Sequence, residues 1–418
     1  MRILFILHQF YPEFSGGTEH VALNLANCAQ RAGHYVRVLA STVDPVACGG
    51  RQSVGFDGAF EIVYHGVPVM LLPHEILPKT TDYSFEPDLD LAERLVAWMR
   101  LERFDVAHVL HPMRMGTALL AVQRCGLPYI ITLTDFFSAC FRINLINVLN
   151  EPCPGPNGGV RCAKDCLVAP WTPDSLIGRQ RQALSLLTAA GARICPSNYV
   201  AECYRSFFPE LDFIVIPHGI ELMTHTVNTL PSASAEVDDI NLTFGFIGSI
   251  IPQKGLDTLL RAFASVQCNR LKLRVVGGFY GEPSYQSEVL KLAEADSRVE
   301  LLGHVTQQKV FEFIREIDVL CLPSRVPETF SMVLHEAIAL GVPALVSNLG
   351  APAEHIAKHG DGCILPVDDV AAWSGVITEL AENPEVLLAW RSKLPMILRI
   401  EEEAFFYESL YRLLLQPN

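Results

Sequence analysis

Short apolar runs that stop at turn residues alternate with amphipathic stretches along most of this chain. Residues 3–7, 35–40, 67–72, 104–112 and 128–137 read as strands in the first half. The same signal recurs at 242–247, 271–276, 299–305, 319–322 and 343–347 in the second. Helical periodicity fills the gaps. One helix opens at Thr18 or Glu19 and carries Val21, Leu23, Leu25, Ala26 and Ala29; others fall near 91–103, 173–190, 256–266, 285–295, 306–316 and 371–381. Strands alternating with helices at this pitch predict parallel, right-handed units, hence two doubly wound halves. Residues 193–200 hold a short strand and the turn before another helix, and 214–221 closes the first half. Between 45 and 78 the pattern is irregular apart from the strand at 67–72. The polar stretch 222–240 reads as a linker. Near the end, 401–415 is amphipathic, with Ala404, Phe405, Leu410, Leu413 and Leu414 as its apolar stripe.

A length of 418 residues exceeds one ordinary core, in keeping with two halves. The net charge of −14 leaves no basic face to neutralise a phosphate backbone, which argues against nucleic acid as a partner. No apolar run approaches the roughly 20 residues of a membrane span, and no small-residue cleavage site follows the first strand. These features predict a cytoplasmic protein, with a peripheral membrane contact left open. Of the 12 cysteines, Cys28, Cys195, Cys321 and Cys363 sit in apolar contexts and read as small core residues. Cys140, Cys153, Cys162 and Cys166 instead cluster within 27 residues around EPCPGPNGG, inside an insertion at 138–170. Four thiolates there would suit a structural zinc ion; a reduced or partly disulfide-bonded loop is the alternative.

Chemistry concentrates in residues 319–343, VLCLPSRVPETFSMVLHEAIALGVP. A buried strand stops at Pro323-Ser324, and a helix capped by Thr329 or Ser331 follows, with Met332, Val333, Leu334, Ala337 and Ile338 on its apolar face. Glu328 precedes that helix, and Glu336 lies in its second turn, eight residues on. Free N–H groups at a helix start suit phosphate, while carboxylates suit hydroxyl groups. Together they suit a nucleotide sugar; the plain alternative is a solvated helix surface. Lys254, one residue before Gly255 and the start of another helix, offers a point charge for phosphate. Gly16 and Gly17 repeat the glycine-before-helix arrangement in the first half. Thr134 and Asp135 end the strand at 128–137, where open α/β sheets bind ligands. His111, at the end of the neighbouring strand, is a site candidate, and His108 reads as a core histidine.

The ordered series GGTEH, IPHGIE, GSIIPQKG, VELLGHV, ETFSMVLHEA and GVPALVSNLGAPAEHI resembles the retaining glycosyltransferases of family 4. The resemblance covers essentially the whole chain, is strongest from Phe244 to Ile356, and includes an E-x7-E element. It implies the GT-B fold: two Rossmann-like domains facing across a cleft, with the last helix crossing back to the first. The expected parts are an acceptor-side domain at 1–221, a linker at 222–240, a nucleotide-sugar domain at 241–395, and a returning helix at 396–418. By the same resemblance, Lys254 and the amides around Thr329, Phe330, Ser331 and Met332 would hold the diphosphate. Glu328 would contact the transferred sugar, Glu336 the ribose, and His304 and Val305 the base. Ser249 and Gly278 would line the donor site, and Gly16 and Gly17 would face the diphosphate from the other domain. Family members are thought to act by front-face attack assisted by the leaving diphosphate, with no metal required. Asp135 and His111 would then stand on the side of a glycan or lipid-linked acceptor.

Two positions depart from the family pattern. Ser249 stands where an Arg is frequent, which leaves Lys254 as the only cation of its loop, with Arg325 as a candidate replacement. Thr134 stands where a His commonly precedes the Asp. Both departures keep in view a nucleotide-sugar-binding protein of the same fold without catalysis; a sugar-nucleotide epimerase on the same architecture is a separate alternative.

Overall fold

The computed structural model describes residues 1–79, 83–169, 171–221 and 241–416, so the linker expected at 222–240 lies outside the described residues. The chain forms two compact units, one of Met1–Gly219 with Leu398–Asn418 and the other of Ile220–Ile397.

A nine-stranded sheet carries the first unit. Its strands are β1 (Arg2–Ile6), β2 (Tyr35–Thr42), β3 (Arg51–Gln52), β4 (Phe60–Tyr64), β5 (Val67–Pro73), β6 (Val106–Val109), β7 (Tyr129–Thr132), β8 (Ala192–Cys195) and β9 (Ile214–Val215). They run in the order β3-β4-β5-β2-β1-β6-β7-β8-β9, parallel except for the antiparallel β3-β4-β5 edge. Helices α1 (Gly17–Arg31), α2 (Leu89–Glu102), α3 (Gly116–Arg124), α4 (Val160–Asp165), α5 (Pro173–Ala189) and α6 (Asn198–Phe207) accompany them. Strands β6 and β7 are buried along their whole length, as unbroken apolar runs require when helices cover both faces of a parallel sheet. The irregular 45–78 stretch supplies the antiparallel edge. The strands expected at 104–112 and 128–137 pair over only four residues each. Beyond their ends Leu110, Leu133, Phe136 and Phe137 are buried as loop residues, so their apolar character reflected burial and not pairing. Of 214–221 only two residues pair.

The second unit has six parallel strands: β10 (Leu242–Ile247), β11 (Leu271–Val276), β12 (Val299–Gly303), β13 (Val319–Leu322), β14 (Ala344–Ser347) and β15 (Gly362–Leu365). Its helices are α7 (Leu256–Ser265), α8 (Pro283–Glu294), α9 (Gln307–Arg315), α10 (Met332–Ala339), α11 (Gly350–His359), α12 (Val370–Glu382) and α13 (Glu385–Arg391). The order β12-β11-β10-β13-β14-β15 reverses direction between β10 and β13. In doubly wound sheets the strand ends at such a reversal leave a crevice, because the flanking connections depart to opposite faces. The first unit has the same reversal between β1 and β6.

The last helix, α14 (Ile400–Leu414), packs on α1 within the first unit. Its buried face is Ile400, Glu403, Tyr407 and Tyr411; of the apolar stripe expected from the pattern, Ala404, Leu410 and Leu414 are half-buried, while Phe405 and Leu413 are 66% and 63% exposed. The reason is hydrogen bonding. Tyr411 Oη lies 2.7 Å from His108 Nδ1, Tyr407 Oη lies 2.9 Å from Thr132 Oγ1, and Glu403 accepts from the Gly219 amide at 2.8 Å and meets His218 Nδ1 at 2.9 Å. Polar side chains with partners can be buried at little cost, so hydrophobicity alone missed the centre of the buried face.

Candidate functional site

In the second unit the loops after β10 and β13 flank the reversal. Pro252–Lys254 forms a single 3-10 turn, and Gly255 follows with φ of +66°. A Cβ at Gly255 would lie 2.0 Å from the Pro323 carbonyl, so only glycine lets this loop rest on the end of β13. That approach brings Lys254 Nζ to 2.8 Å from Glu328 Oε1, to which Ser324 Oγ also donates. Burial alone would push the Glu328 carboxyl up, but the Lys254 charge and the bonds from Lys254 and Ser324 outweigh it and hold it below its ordinary range. Glu328 is pinned from behind as well. Gly350, with φ of +70°, opens α11, and Ala351 N–H donates to the Glu328 carbonyl at 2.8 Å. A Cβ at Gly350 would fall 2.5 Å from that same oxygen.

Helix α10 then begins. Ser331 is its N-cap residue, in a left-handed conformation (φ +68°), and its side chain makes no cap bond, contrary to the expected Ser or Thr cap. The Ser331 side chain thus leaves the first-turn amides from Met332 onward without a bond from the N-cap residue, beside half-buried Thr329 and Met332. Phe330 is buried and stacks on His335 at 3.9 Å between ring centres. Glu336, one turn on, is 5% exposed and accepts from Gln307 Nε2 at 2.8 Å. Burial raises its pKa to about 7, and the Gln307 bond offsets this only in part.

The remaining candidates of this unit spread along the same sheet edge. Ser249 is exposed after β10, and Gly278 follows β11, its carbonyl accepting from Ile250 N–H at 2.8 Å. His304 is exposed and Val305 half-buried after β12, at the edge of the sheet. Arg325 has partners of its own. Its guanidinium forks onto Asp257 at 2.8 and 2.7 Å and reaches Asp368 Oδ1 at 2.6 Å and the Pro252 carbonyl at 2.8 Å. Burial opposes its charge, but these carboxylates outweigh the effect and raise its pKa. Arg325 therefore struts the Lys254 loop against α7, engaged by carboxylates as Lys254 is by Glu328.

In the first unit, Gly16 and Gly17 lie exposed at the start of α1, and Gly16 N–H donates to Glu19 Oε2 at 2.7 Å. Helix α1 thus starts at Gly17, one residue before the expected Thr18, closed by Glu19 from its first turn. At the reversal, His111 Nε2 lies 2.7 Å from Asp135 Oδ2 while His111 Nδ1 accepts from Met113 N–H at 3.2 Å. An amide can only donate, so the neutral imidazole carries its proton on Nε2 and gives it to Asp135. Both ring nitrogens are therefore occupied. Thr134 bonds Thr18 Oγ1 and the Leu110 carbonyl, each at 3.1 Å, tying α1 to the end of β6. His8 was not read from the sequence. Its ring lies 3.9 Å from that of His111, its Nε2 is 3.9 Å from Glu19 Oε1, and its Nδ1 is buried with no hydrogen-bond partner among the described residues. Burial first, then His111 and Arg114, push its pKa well down, while burial pushes that of Glu19 up.

The four cysteines expected as zinc ligands lie near one another in the first unit. Cys140, Cys162 and Cys166 are buried and Cys153 half-buried, all as free thiols. Among the described residues, no group of three or more His, Cys, Asp or Glu side chains is placed to hold a metal ion. Local bonds engage them instead: Cys153 Sγ leans on the Gly155 carbonyl at 3.7 Å, and Cys162 and Cys166 pack in a small apolar cluster with Phe141 and Leu176. Burial, then the neighbouring thiols, pushes the Cys162 pKa up to about 12.

Gln307, Ser324 and Gly350 also escaped the sequence reading. A serine at a strand end and a glycine before a helix carry a weak signal that many loops share. Glu19 had a better one, three residues after Gly16 at capping-box spacing.

Residues 15–223 match the family described as Glycosyltransferase Family 4, and residues 241–383 match Glycosyl transferases group 1. The chain belongs to glycosyltransferase family 4. The phosphatidyl-myo-inositol mannosyltransferase of Mycobacterium leprae is 26% identical over 88% of this chain and 84% of that enzyme. The lipopolysaccharide 1,2-N-acetylglucosaminetransferase of Salmonella typhimurium is 30% identical over 39% of this chain, a match that spans only 45% of that enzyme. Among solved structures, the sucrose-phosphate synthase of Thermosynechococcus elongatus aligns at a TM-score of 0.70 with 17% identity, covering 99% of both chains. Anabaena HepE in complex with UDP and glucose aligns at 0.67 with 16% identity over 98% of each. These likenesses show the GT-B fold.

Proposed function

We propose that this family 4 member is a retaining glycosyltransferase that moves a sugar from a nucleoside diphosphate to a glycan or lipid-linked acceptor. One observation carries the reading: Glu328, ion-paired to Lys254 and held by Gly350, stands at the uncapped start of α10 where the strand order of the second unit reverses. A diphosphate there would draw on Lys254 and the α10 amides, positive charge that needs no metal ion. Glu328 would accept hydrogen bonds from the sugar hydroxyls, and Glu336 from the ribose. Helping the diphosphate to leave is the enzyme's main task in this scheme; the departing phosphate oxygen takes the acceptor proton as the new glycosidic bond forms on the same face. Asp135, oriented by His111 and the Phe137 amide, would position the acceptor side from the first unit. The chain relatives named above act on lipid and lipopolysaccharide acceptors by name, which supports that acceptor class. No helix among the described residues is long and apolar enough to cross a membrane; a cytoplasmic protein with a peripheral membrane contact fits the reading.

Thermal shift with UDP-, GDP-, ADP- and CMP-sugars would identify the donor, since a ligand selective for the folded state raises the melting temperature. Slow hydrolysis of that donor should then fall at least ~100-fold in both Glu328→Ala and Lys254→Ala. Hydrolysis should persist in EDTA, and NMR of the transfer product should show the anomeric configuration of the donor. The engagement of Arg325 by Asp257 and Asp368 favours a second reading, donor binding without catalysis. Binding with no turnover, with or without acceptor, would establish that reading instead.

A further inference from the structure

We propose that the first unit carries a separate pocket for an anionic sugar, a pyranose bearing a carboxylate or a phosphate group. The pocket has a volume of about 500 Å³ and is lined by Lys79, Tyr83, Phe141, Arg142, Ile143, Val168, Ala169 and Trp171. Small-molecule sites fall in the range of roughly 300–1,000 Å³. Its walls are aromatic. The Trp171 ring lies 6.0 Å from Tyr83 at an interplanar angle of 80° and 6.3 Å from Phe141 at 40°, and Tyr83 and Phe141 lie 6.3 Å apart at 83°. Phe141 is buried and packs edge-on against Tyr83, so it backs the pocket, while Tyr83, 48% exposed, and half-buried Trp171 keep ring surface open. They leave flat apolar faces suited to the C–H faces of a sugar ring.

Charge selects among sugars. Lys79 is exposed, and Arg142 is half-buried with Nε fixed on the Ile146 carbonyl at 2.9 Å. Among the described residues, neither side chain makes an ion pair, and the terminal nitrogens of Arg142 make no hydrogen bond. A guanidinium anchored at Nε presents its remaining donors as a preset fork, the geometry that carboxylate and phosphate oxygens accept. Two cations without an ion pair among the described residues, beside aromatic rings, stand out in a chain whose net charge is −14. The backbone is also held in a costly shape here. Ile143, a β-branched residue, has φ of +73°, and Leu145 has φ of +54°. Bonds from Ile143 N–H to the Cys140 carbonyl at 2.8 Å, and from Cys153 N–H to the Leu145 carbonyl at 2.7 Å, keep that conformation and with it the direction of Arg142. Strain of this kind persists where the surroundings over-determine it, as they do at ligand sites.

That the sugar belongs to an acceptor glycan rests on the transferase reading; that the pocket binds it does not. Saturation-transfer NMR on the full chain, without any donor, therefore tests the pocket alone. Methyl β-glucuronide or glucose 6-phosphate should bind with a dissociation constant of about 1–10 mM, whichever wins naming the anion. Methyl β-glucoside should bind at least tenfold more weakly. Arg142→Gln and Trp171→Ala should each abolish the signal, and Lys79→Gln, a change on the exposed rim, should weaken it even if the other two fold poorly. Equal binding of the neutral glucoside, inorganic phosphate binding as tightly as glucose 6-phosphate, or no saturable binding of any probe would overturn the proposal. Sugar binding without donor turnover would overturn only the transferase reading.

Discussion

Glu328 and Glu336 are the same distance apart in sequence as any residues two helical turns apart, yet their surroundings drive their acidities in opposite directions. Glu328 has Lys254 and Ser324 and is held down; Glu336 has only Gln307 and rises to about 7. The native state therefore binds more protons at Glu336 than the unfolded chain does between pH ~4.5 and 7, and stability contributed by this residue falls as pH rises through that window. The shift corresponds to at most about 3 kcal/mol. Glu336→Gln should accordingly gain stability relative to wild type on going from pH 5 to 8 in urea melts, while losing donor affinity; parallel pH curves for the two proteins would refute this. Lys254→Met should leave the Glu328 carboxylate without its cation and destabilise the second unit by about 1–3 kcal/mol. The loss should be smaller when Glu328→Gln is already present, and a double-mutant cycle with no coupling would count against the pair. Gly350→Ala meets both positive φ and the Glu328 carbonyl, and should cost about 1–3 kcal/mol together with most donor hydrolysis. Full activity in a stably folded Gly350→Ala would show that the Glu328 backbone tolerates movement.

At the scale of elements, α14 offers the sharpest contrast between pattern and packing. Its polar-looking residues Glu403, Tyr407 and Tyr411 are buried because His218, Thr132 and His108 await them, and its phenylalanine at 405 faces out. Tyr411→Phe would strand the buried His108 Nδ1 and should cost about 1–3 kcal/mol, whereas Phe405→Ser should stay within about 0.5 kcal/mol of wild type. Thermal melts that rank these two in reverse would restore the face expected from hydrophobicity. Strands were legible by length and composition in the second unit, where β10, β11 and β13 fall where their apolar runs predicted. They were less so in the first. Apolar residues there, such as Leu133 and Phe137, are buried beyond the strand ends, and periodicity does not separate burial in a loop from burial in a sheet.

The whole molecule divides so that the first unit needs both ends of the chain and the second needs neither. Deleting residues 398–418 should therefore strip amide-exchange protection from β1, β6 and β7 while β10 to β15 keep theirs; loss in both sheets alike would mean that the units do not stand separately. The sequence by itself determined the alternating strand–helix order and the chemistry gathered around Glu328, because hydrophobic period and turn residues act over short stretches that can be read in order. It also carried the family resemblance. Only the tertiary structure decided which charges remain available. Arg325 and Lys254 are both cations near one loop, and both are paired from a distance: Asp257 and Asp368 arrive from 68 and 43 residues away to engage the first, and Glu328 from 74 to engage the second. His111, a site candidate by its place at a strand end, has both ring nitrogens engaged, by Met113 and Asp135. In each case the sequence named the functional group, and long-range pairing, which depends on where distant segments meet in space, settled what that group is free to do.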